Sequence, residues 1–546
     1  MHAGTKSRTI SLVIAVGLLA AACAPPRDQP PAGSQQAQGG EFSVYVCEPE
    51  HLVPQNTNET CGAEVLNALF TGLVDYDPQS AQPVNAVAES IESEDQRVWT
   101  IQIADGWTFH DGSPVTAQSF IDAWNWGAYA PNAAGNAHFF EKIEGYEALQ
   151  CPEGQELEEG GCRVEPPVTE MTGLTLHDDR TFEVTLNAPF SQFPLTVGYT
   201  AFYPLPRVFF DDPEAFEESP VGNGPFQMDG SWEHNQRIRV TRYDDYAGDP
   251  AEAQAVEFRI YSEIDTAYND LLAGNLDVMD DIPSAQIERA KQEFGDNFIE
   301  DESSSFTYIG FPLYQSEFQN KDLRQAFSMA IDRQAITEAI RTDSVPATGL
   351  VGPVVAGSRE DACGQLCEYN PERARQLFDQ AGGWEGTLTL WFNSGADHDQ
   401  WMQAVANQLR TNLGIEDIRF ETLEFAEYLE KLDQETVTGP FRLGWVMDYP
   451  SPQNYLEPIY STTGSSNNFT YSNPEVDQLI ERGNAAGSIE DGIDFYHQAE
   501  DLILEDMPNI PMFFGRVTGA HSDRVDNVIV DAFTRINVAD IEVVQP

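Results

Sequence analysis

Positive charge is scarce in this sequence. Of its 546 residues only 29 are Lys or Arg, five of them Lys, against 89 Asp or Glu, and the formal net charge is −60. Proteins bind nucleic acid mainly through Lys and Arg that neutralise phosphates, so the composition argues against a nucleic-acid partner. The same charge disfavours adsorption to anionic lipid. An acidic, Lys-poor surface would suit a salty or acidic habitat.

Motifs of common catalytic sites are also missing. No lysine follows a glycine, as a P-loop requires, and no histidine precedes a glutamate, as in the zinc-protease helix. A Gly-x-Ser-x-Gly nucleophile elbow is absent as well. The neighbours His110 and Asp111 could act as a catalytic pair, but such neighbours are common in turns. We predict that the protein is not an enzyme and that it uses no metal or cofactor.

The chain is long enough for several lobes with packed cores, since 41% of it is hydrophobic and 11% aromatic. Apolar residues at period two predict strands, and apolar residues at three-four spacing predict helices. The predicted strands are 98–103, 181–186, 237–243 and 256–261, and the predicted helices are 116–126, 322–340, 371–380, 399–413 and 493–507. An acidic, Gly-rich loop is expected at 151–167. This mixture indicates an α/β or α+β protein.

The N-terminus is typical of export. Residues 1–22 combine a basic start (Lys6, Arg8), a short apolar run and small residues, which predicts a signal peptide. Cys23 follows three alanines, in a context that resembles the lipobox of bacterial lipoproteins, and would then carry a lipid anchor. The alternative is an ordinary signal peptide cut elsewhere. Residues 23–40 are rich in Pro, Gln and Gly and read as a flexible tether.

The other six cysteines form close pairs along the chain. They are Cys47 with Cys61, Cys151 with Cys162, and Cys363 with Cys367. An even number of cysteines outside the cytoplasm favours disulfides over free or metal-bound thiols. We expect short-range links on exposed loops.

Several stretches in order along the chain carry a family resemblance. They are LFTGLVDYD (69–77), WTFHDGSPVTA (107–117), GNGPF (222–226) with RVTRYDDY (239–246), LRQA (323–326) and AIDR (330–333). Together they resemble the extracytoplasmic solute-binding proteins of oligopeptide and dipeptide ABC importers, family 5. The resemblance covers nearly all of the chain after residue 41.

This resemblance implies a type II periplasmic-binding-protein fold, of class α/β, with two lobes around a cleft plus an additional domain. The main lobe would be discontinuous, built from 41–78, 178–300 and 508–546. The small extra domain would be 79–177, and the second lobe 301–507.

The resemblance also implies a ligand site in RLGWVMDY (442–449). Asp448 would receive the α-ammonium group of a peptide, and Arg442 could meet its C-terminal carboxylate. The backbone of Gly444 and Val446 would pair with the peptide main chain, and Trp445 and Tyr449 would flank the ligand. Without the resemblance, Asp448 could equally cap a turn and Trp445 could be core packing.

The implied function is capture of short peptides in the cleft and delivery to an ABC permease. The protein would be a monomer, attached to the membrane only through its lipid anchor. Two alternatives remain at this point: the same fold could bind another small solute, such as a nickel chelate or a sugar, or the chain could be a lipid-anchored hydrolase.

Overall fold

The computed structural model describes residues 39–544 except 156, 158–159 and 395–397. The predicted signal peptide, Cys23 and nearly all of the predicted tether therefore lie outside the described residues. None of the helices in the described part of the chain has the length and apolar character that crossing a bilayer requires.

The described residues form mixed strands and helices. The strands are β1 Glu41–Val46, β2 Val74–Tyr76, β3 Pro83–Asn85, β4 Ala88–Glu92, β5 Val98–Ile103, β6 Leu174–Asp178, β7 Thr181–Thr185, β8 Phe226–Met228, β9 Arg237–Arg242, β10 Ala255–Ile260, β11 Val278–Met279, β12 Phe298–Gly310, β13 Ser344–Pro346, β14 Leu388–Asn393, β15 Ile418–Leu423, β16 Phe441–Trp445, β17 Asn509–His521, β18 Val525–Asp526 and β19 Glu542–Val543. The helices are α1 Thr60–Leu69, α2 Ala117–Ala128, α3 Phe193–Thr196, α4 Arg207–Asp211, α5 Pro213–Glu217, α6 Ile264–Leu272, α7 Ile287–Phe294, α8 Lys321–Met329, α9 Arg333–Ala339, α10 Pro371–Gln380, α11 His398–Leu413, α12 Phe425–Asp433, α13 Pro452–Tyr460, α14 Pro474–Asn484 and α15 Ile489–Asp506.

The largest sheet has the order β15-β14-β16-β12-β17-β11-β1-β10-β9-β8, and β13 also pairs with β17. Its two longest strands, β12 and β17, run antiparallel through the middle of the sheet. Their pairing shifts register between Glu302 and Phe306, and such irregularities bend a strand. Strands β11, β1, β10, β9 and β8 lie on one side of this pair and β16, β14 and β15 on the other. The two long strands thus join two groups of strands.

A second sheet has the order β4-β5-β7-β6 and is antiparallel throughout. It contains β7, which lies beyond residue 177, where we placed the end of the small domain. Helix α2 packs against this sheet through buried Phe120 and Trp124, whose rings lie 6.0 and 5.6 Å from that of Phe182. The lobe boundaries themselves stay a prediction.

Most of the predicted elements are present within a few residues of their expected ends. Strand 98–103 and helix 371–380 have the predicted bounds. The single helix predicted over 322–340 is wrong, because the structure has two helices, α8 and α9. Asp332 interrupts the run: its carboxylate accepts the N–H of Ala335 at 3.0 Å and caps α9. A capping aspartate can start a new helix even where the helical spacing of apolar residues continues.

The three predicted cysteine pairs are confirmed as disulfides, Cys47–Cys61, Cys151–Cys162 and Cys363–Cys367. The middle pair closes the expected acidic loop. The expectation that all of them lie on exposed loops is wrong, because Cys61 and Cys363 are buried in the core. Cys61 lies in α1, whose inner face packs into that core.

The GNGPF turn precedes β8 and is tied to His110. The Nδ1 atom of His110 accepts the N–H of Gly222 at 3.1 Å, and its backbone N–H donates to the carbonyl of Gly222 at 2.8 Å. Burial lowers the pKa of His110 to about 4, so the ring is neutral near pH 7. The contacts of this histidine are those of a structural residue.

Candidate functional site

A cavity of about 260 Å³ lies between two parts of the protein that are far apart in sequence. Segments 138–143 and 186–202 line one side of it, and segment 445–465 lines the other. Of the six predicted ligand residues, Trp445, Asp448 and Tyr449 are in this lining, whereas Arg442, Gly444 and Val446 are not. The structure therefore divides the predicted site into two places.

The local structure explains how Asp448 comes to face the cavity. Strand β16 pairs antiparallel with β12 up to Trp445. The chain then turns into α13, whose start is capped by Ser451, its Oγ accepting the N–H of Gln453 at 3.1 Å. Pro452 at the first helical position also favours this start. Asp448 lies in the turn between strand and helix.

Asn454, in the first turn of α13, holds Asp448 in place. Its Nδ2 donates to Asp448 Oδ2 at 2.8 Å, and its Oδ1 accepts the backbone N–H of Asp448 at 2.8 Å. The same Oδ1 accepts the indole N–H of Trp445 at 3.3 Å. One amide therefore holds both the carboxylate and the backbone of Asp448. Asn454 was not among the residues predicted from the sequence. A signal for it exists, since an Asn six residues after the Asp lies on the facing turn of the next helix.

In the part of the chain that the structure describes, no cationic side chain bonds to the Asp448 carboxylate. Burial raises the pKa of Asp448 to about 6, and the Asn454 amide offsets only part of that effect. Among the described residues, the Oδ1 atom of Asp448 has no hydrogen-bond partner. A carboxylate in such a place that lacks a cation is stabilised by a ligand that brings positive charge.

The one lysine of this cavity has a different partner. The ammonium of Lys142 lies 2.7 Å from Glu457 Oε1 on the opposite wall and 4.9 Å from the centre of the Phe190 ring. Burial alone would raise the pKa of Glu457, but Lys142 and the amides of Gln453 and Asn484 lower it overall. This ion pair joins the two sides of the cavity across 315 residues, and the sequence analysis did not find it.

Arg442 lies in a separate polar cluster on β16. Its Nη1 donates to Asn393 Oδ1 at 3.1 Å. Burial, together with the charge of nearby Arg341, lowers the pKa of Arg442 to about 10. Its Nε atom is buried and has no partner among the described residues. The guanidinium lies close to Gly444, because a Cβ atom added at Gly444 would be 3.5 Å from Arg442 Nη2.

The remaining predicted residues lie close to these two clusters. Tyr449 is buried, and its hydroxyl donates to Gln453 Oε1 at 2.6 Å. Val446 is 40% exposed. A nearby histidine, His398, was missed by the sequence analysis: burial and the charge of Arg442 lower its pKa to about 3. The position of His398, 44 residues before Arg442, offers no local signal.

A larger cavity of about 600 Å³ is found elsewhere. It is lined by segments 67–78, 84–86, 104–107, 246–249 and 531–540, with Tyr203 and Pro225. None of the residues 301–507 takes part, so this space does not lie between the two groups of strands that β12 and β17 join. Its one arginine, Arg535, is bonded to Asp531 at 2.9 Å.

The chain is similar to known binding proteins over almost its whole length. It is 27% identical over 512 residues to the dipeptide-binding protein DppE of Bacillus subtilis, covering 90% of each chain. It is 24% identical over 503 residues to the oligopeptide-binding protein OppA of the same organism, covering 88% of this chain and 89% of that one.

Among solved structures, the murein tripeptide binding protein MppA of Escherichia coli superposes with a TM-score of 0.78 at 22% identity, over 94% of this chain and 100% of that chain. This match confirms the predicted periplasmic-binding-protein fold. The family model described as bacterial extracellular solute-binding proteins, family 5 Middle, matches residues 82–467. The family predicted from the sequence motifs is thus confirmed: the chain belongs to the family 5 bacterial extracellular solute-binding proteins.

Proposed function

We propose that this protein captures short peptides outside the cytoplasm and hands them, unchanged, to an ABC permease. The observation that carries the proposal is Asp448, whose carboxylate lies in the wall of a cavity between two parts of the chain and has no cation bonded to it from residues 39–544 as described. The relatives named for dipeptides and oligopeptides support the same ligand class.

The α-ammonium group of a peptide supplies what Asp448 lacks. The Lys142 ammonium is already bonded to Glu457, so the cavity contributes no free cation of its own from the described residues. Asn454 holds the carboxylate in one orientation before a ligand arrives, and a prepositioned partner reduces the entropy that is lost on binding.

The outer edge of β16 supports pairing with a peptide main chain. The Arg442 carbonyl accepts the hydroxyl of Tyr428 at 2.6 Å and so faces away from β12. Backbone groups alternate along an antiparallel strand, so those of Gly444 face the same way. In the described residues β14 pairs with β16 only at Phe441, which leaves this edge for a ligand. Arg442 lies at the far end, suited to the peptide carboxylate.

Two lobes close over the ligand by bending at the β12–β17 pair. The main lobe consists of 41–78, 178–300 and 508–546, and the second lobe is 301–507. Cys23 anchors the mature chain to the membrane through lipid, and the protein acts as a monomer.

Isothermal titration calorimetry tests this function. Free tripeptides are expected to bind, their N-acetylated forms to bind at least 100-fold more weakly, and Asp448→Asn to lose binding. Asp245→Asn serves as the matched control, since it removes the same charge from an exposed position. Equal affinity for free and acetylated peptides would contradict the role of Asp448. Recovery of a non-peptide solute by mass spectrometry of the purified protein would favour another ligand.

A further inference from the structure

Several aromatic rings line the cavity that contains Asp448. Phe190, Phe193 and Phe202 are buried within it, and Phe139 and Trp445 are partly exposed. Phe139 is fixed by stacking on Tyr199, with ring centroids 4.3 Å apart. These rings form an apolar surface beside the Asp448 carboxylate.

Several polar side chains next to these rings, from both sides of the cavity, already bond to one another. Lys142 bonds to Glu457, and Gln453 donates to Glu457 while accepting from Tyr449. Asn454 directs its amide at Asp448 and Trp445. The hydroxyl of Thr196 donates to the carbonyl of Phe193 at 2.9 Å. A polar ligand side chain that entered here would lose water and gain few hydrogen bonds in return.

The size of the cavity suits a ring. An apolar protein cavity of roughly 150 Å³ is enough to hold benzene, and this one has about 260 Å³. A phenyl, phenol or indole group therefore fits together with the backbone that carries it. The exposed carboxylate of Glu141 is also part of the lining and would repel an acidic side chain.

We infer that this cavity receives the side chain of the peptide's first residue and selects an aromatic one. The inference rests on the proposed function, because an α-ammonium at Asp448 leaves the first side chain in the same cavity. Burial of a phenylalanine-sized side chain makes an aromatic first residue about 10- to 100-fold tighter than alanine. An aromatic side chain on the peptide's second residue would instead lie along β16, outside the cavity.

Calorimetry with four tripeptides on the full-length protein tests the inference. Phe-Ala-Ala is expected to bind about 10- to 100-fold more tightly than Ala-Ala-Ala and than its isomer Ala-Phe-Ala, and Glu-Ala-Ala is expected to be the weakest. Equal affinity for the first three, or tighter binding of Ala-Phe-Ala, would overturn the inference and leave the proposed function intact. If none of the peptides binds, the proposed function itself fails.

A pair of variants locates the selectivity. Phe139→Ala is expected to weaken Phe-Ala-Ala at least fivefold while changing Ala-Ala-Ala less than twofold. Phe425→Ala, which truncates a ring that is 49% exposed and outside the cavity, should change neither. An unchanged preference in a folded Phe139→Ala protein, checked by circular dichroism, would show that the wall does not select the first residue. Should that variant not fold, the peptide series on the unaltered protein still decides.

Discussion

Replacing Asp448 by Asn should stabilise the ligand-free protein at neutral pH while it abolishes peptide binding. Burial raises the pKa of Asp448 from 3.8 to about 6, so ionising this carboxyl opposes folding. This rise in pKa corresponds to about 3 kcal/mol, because each pKa unit is worth about 1.4 kcal/mol. An asparagine is never ionised and keeps an oxygen that accepts from Asn454.

The pH dependence follows from the sign of the shift. Below about pH 3.8 the carboxyl is protonated in both the folded and the unfolded chain, and the variant should gain nothing. As the pH rises from 3.8 to about 6, only the unfolded chain ionises, so the unaltered protein loses stability relative to the variant. The gain should reach its full value of about 3 kcal/mol above pH 6 to 7.

Urea unfolding of both proteins between pH 4 and pH 8 measures this difference, with Asp245→Asn as the control for removing one charge. The expected result is a free energy of unfolding that is higher in Asp448→Asn at pH 7.5 and nearly equal at pH 4. A variant that is less stable than the unaltered protein at pH 7.5 would refute the argument, because it would mean that the ionised carboxylate is already compensated within the protein.

Four further outcomes are expected. Peptide affinity should fall about tenfold for each pH unit below 6, because the ligand needs Asp448 ionised; calorimetry at pH 5 and 7 checks this, and a flat profile contradicts it. Lys142→Met should weaken the contact between the cavity walls by about 2 kcal/mol, giving a larger radius of gyration in X-ray scattering. Lys321→Met, which removes an ion pair with Glu505 outside the cavity, should not change the radius of gyration. Arg333→Lys should cost about 3 kcal/mol in urea unfolding, because the buried guanidinium serves carbonyls of three segments. Salt at 1 M should raise the melting temperature by screening the net charge of −60; a fall would count against salt adaptation.

Features that depend on a single element or on residues close in sequence were predicted correctly. Period-two alternation predicted the bounds of β5 because a strand with one buried face shows it directly. The cysteine pairing was predictable because each pair is close in sequence. The 322–340 prediction failed because apolar spacing continues through the break, and only the Asp332 cap and the packing around it separate α8 from α9.

The sequence by itself determined the family, the strand and helix content, the cysteine pairing and the segment that carries Asp448. Each of these depends on residues that are close together in the sequence. Tertiary structure decided what surrounds that segment. It set Lys142 against Glu457 from 315 residues away, brought Phe139 and Phe190 to face Trp445, and placed Arg442 outside the cavity that holds Asp448. The physical reason is that burial, charge pairing and cavity shape depend on contacts between distant parts of the chain, which leave no periodic trace in either part.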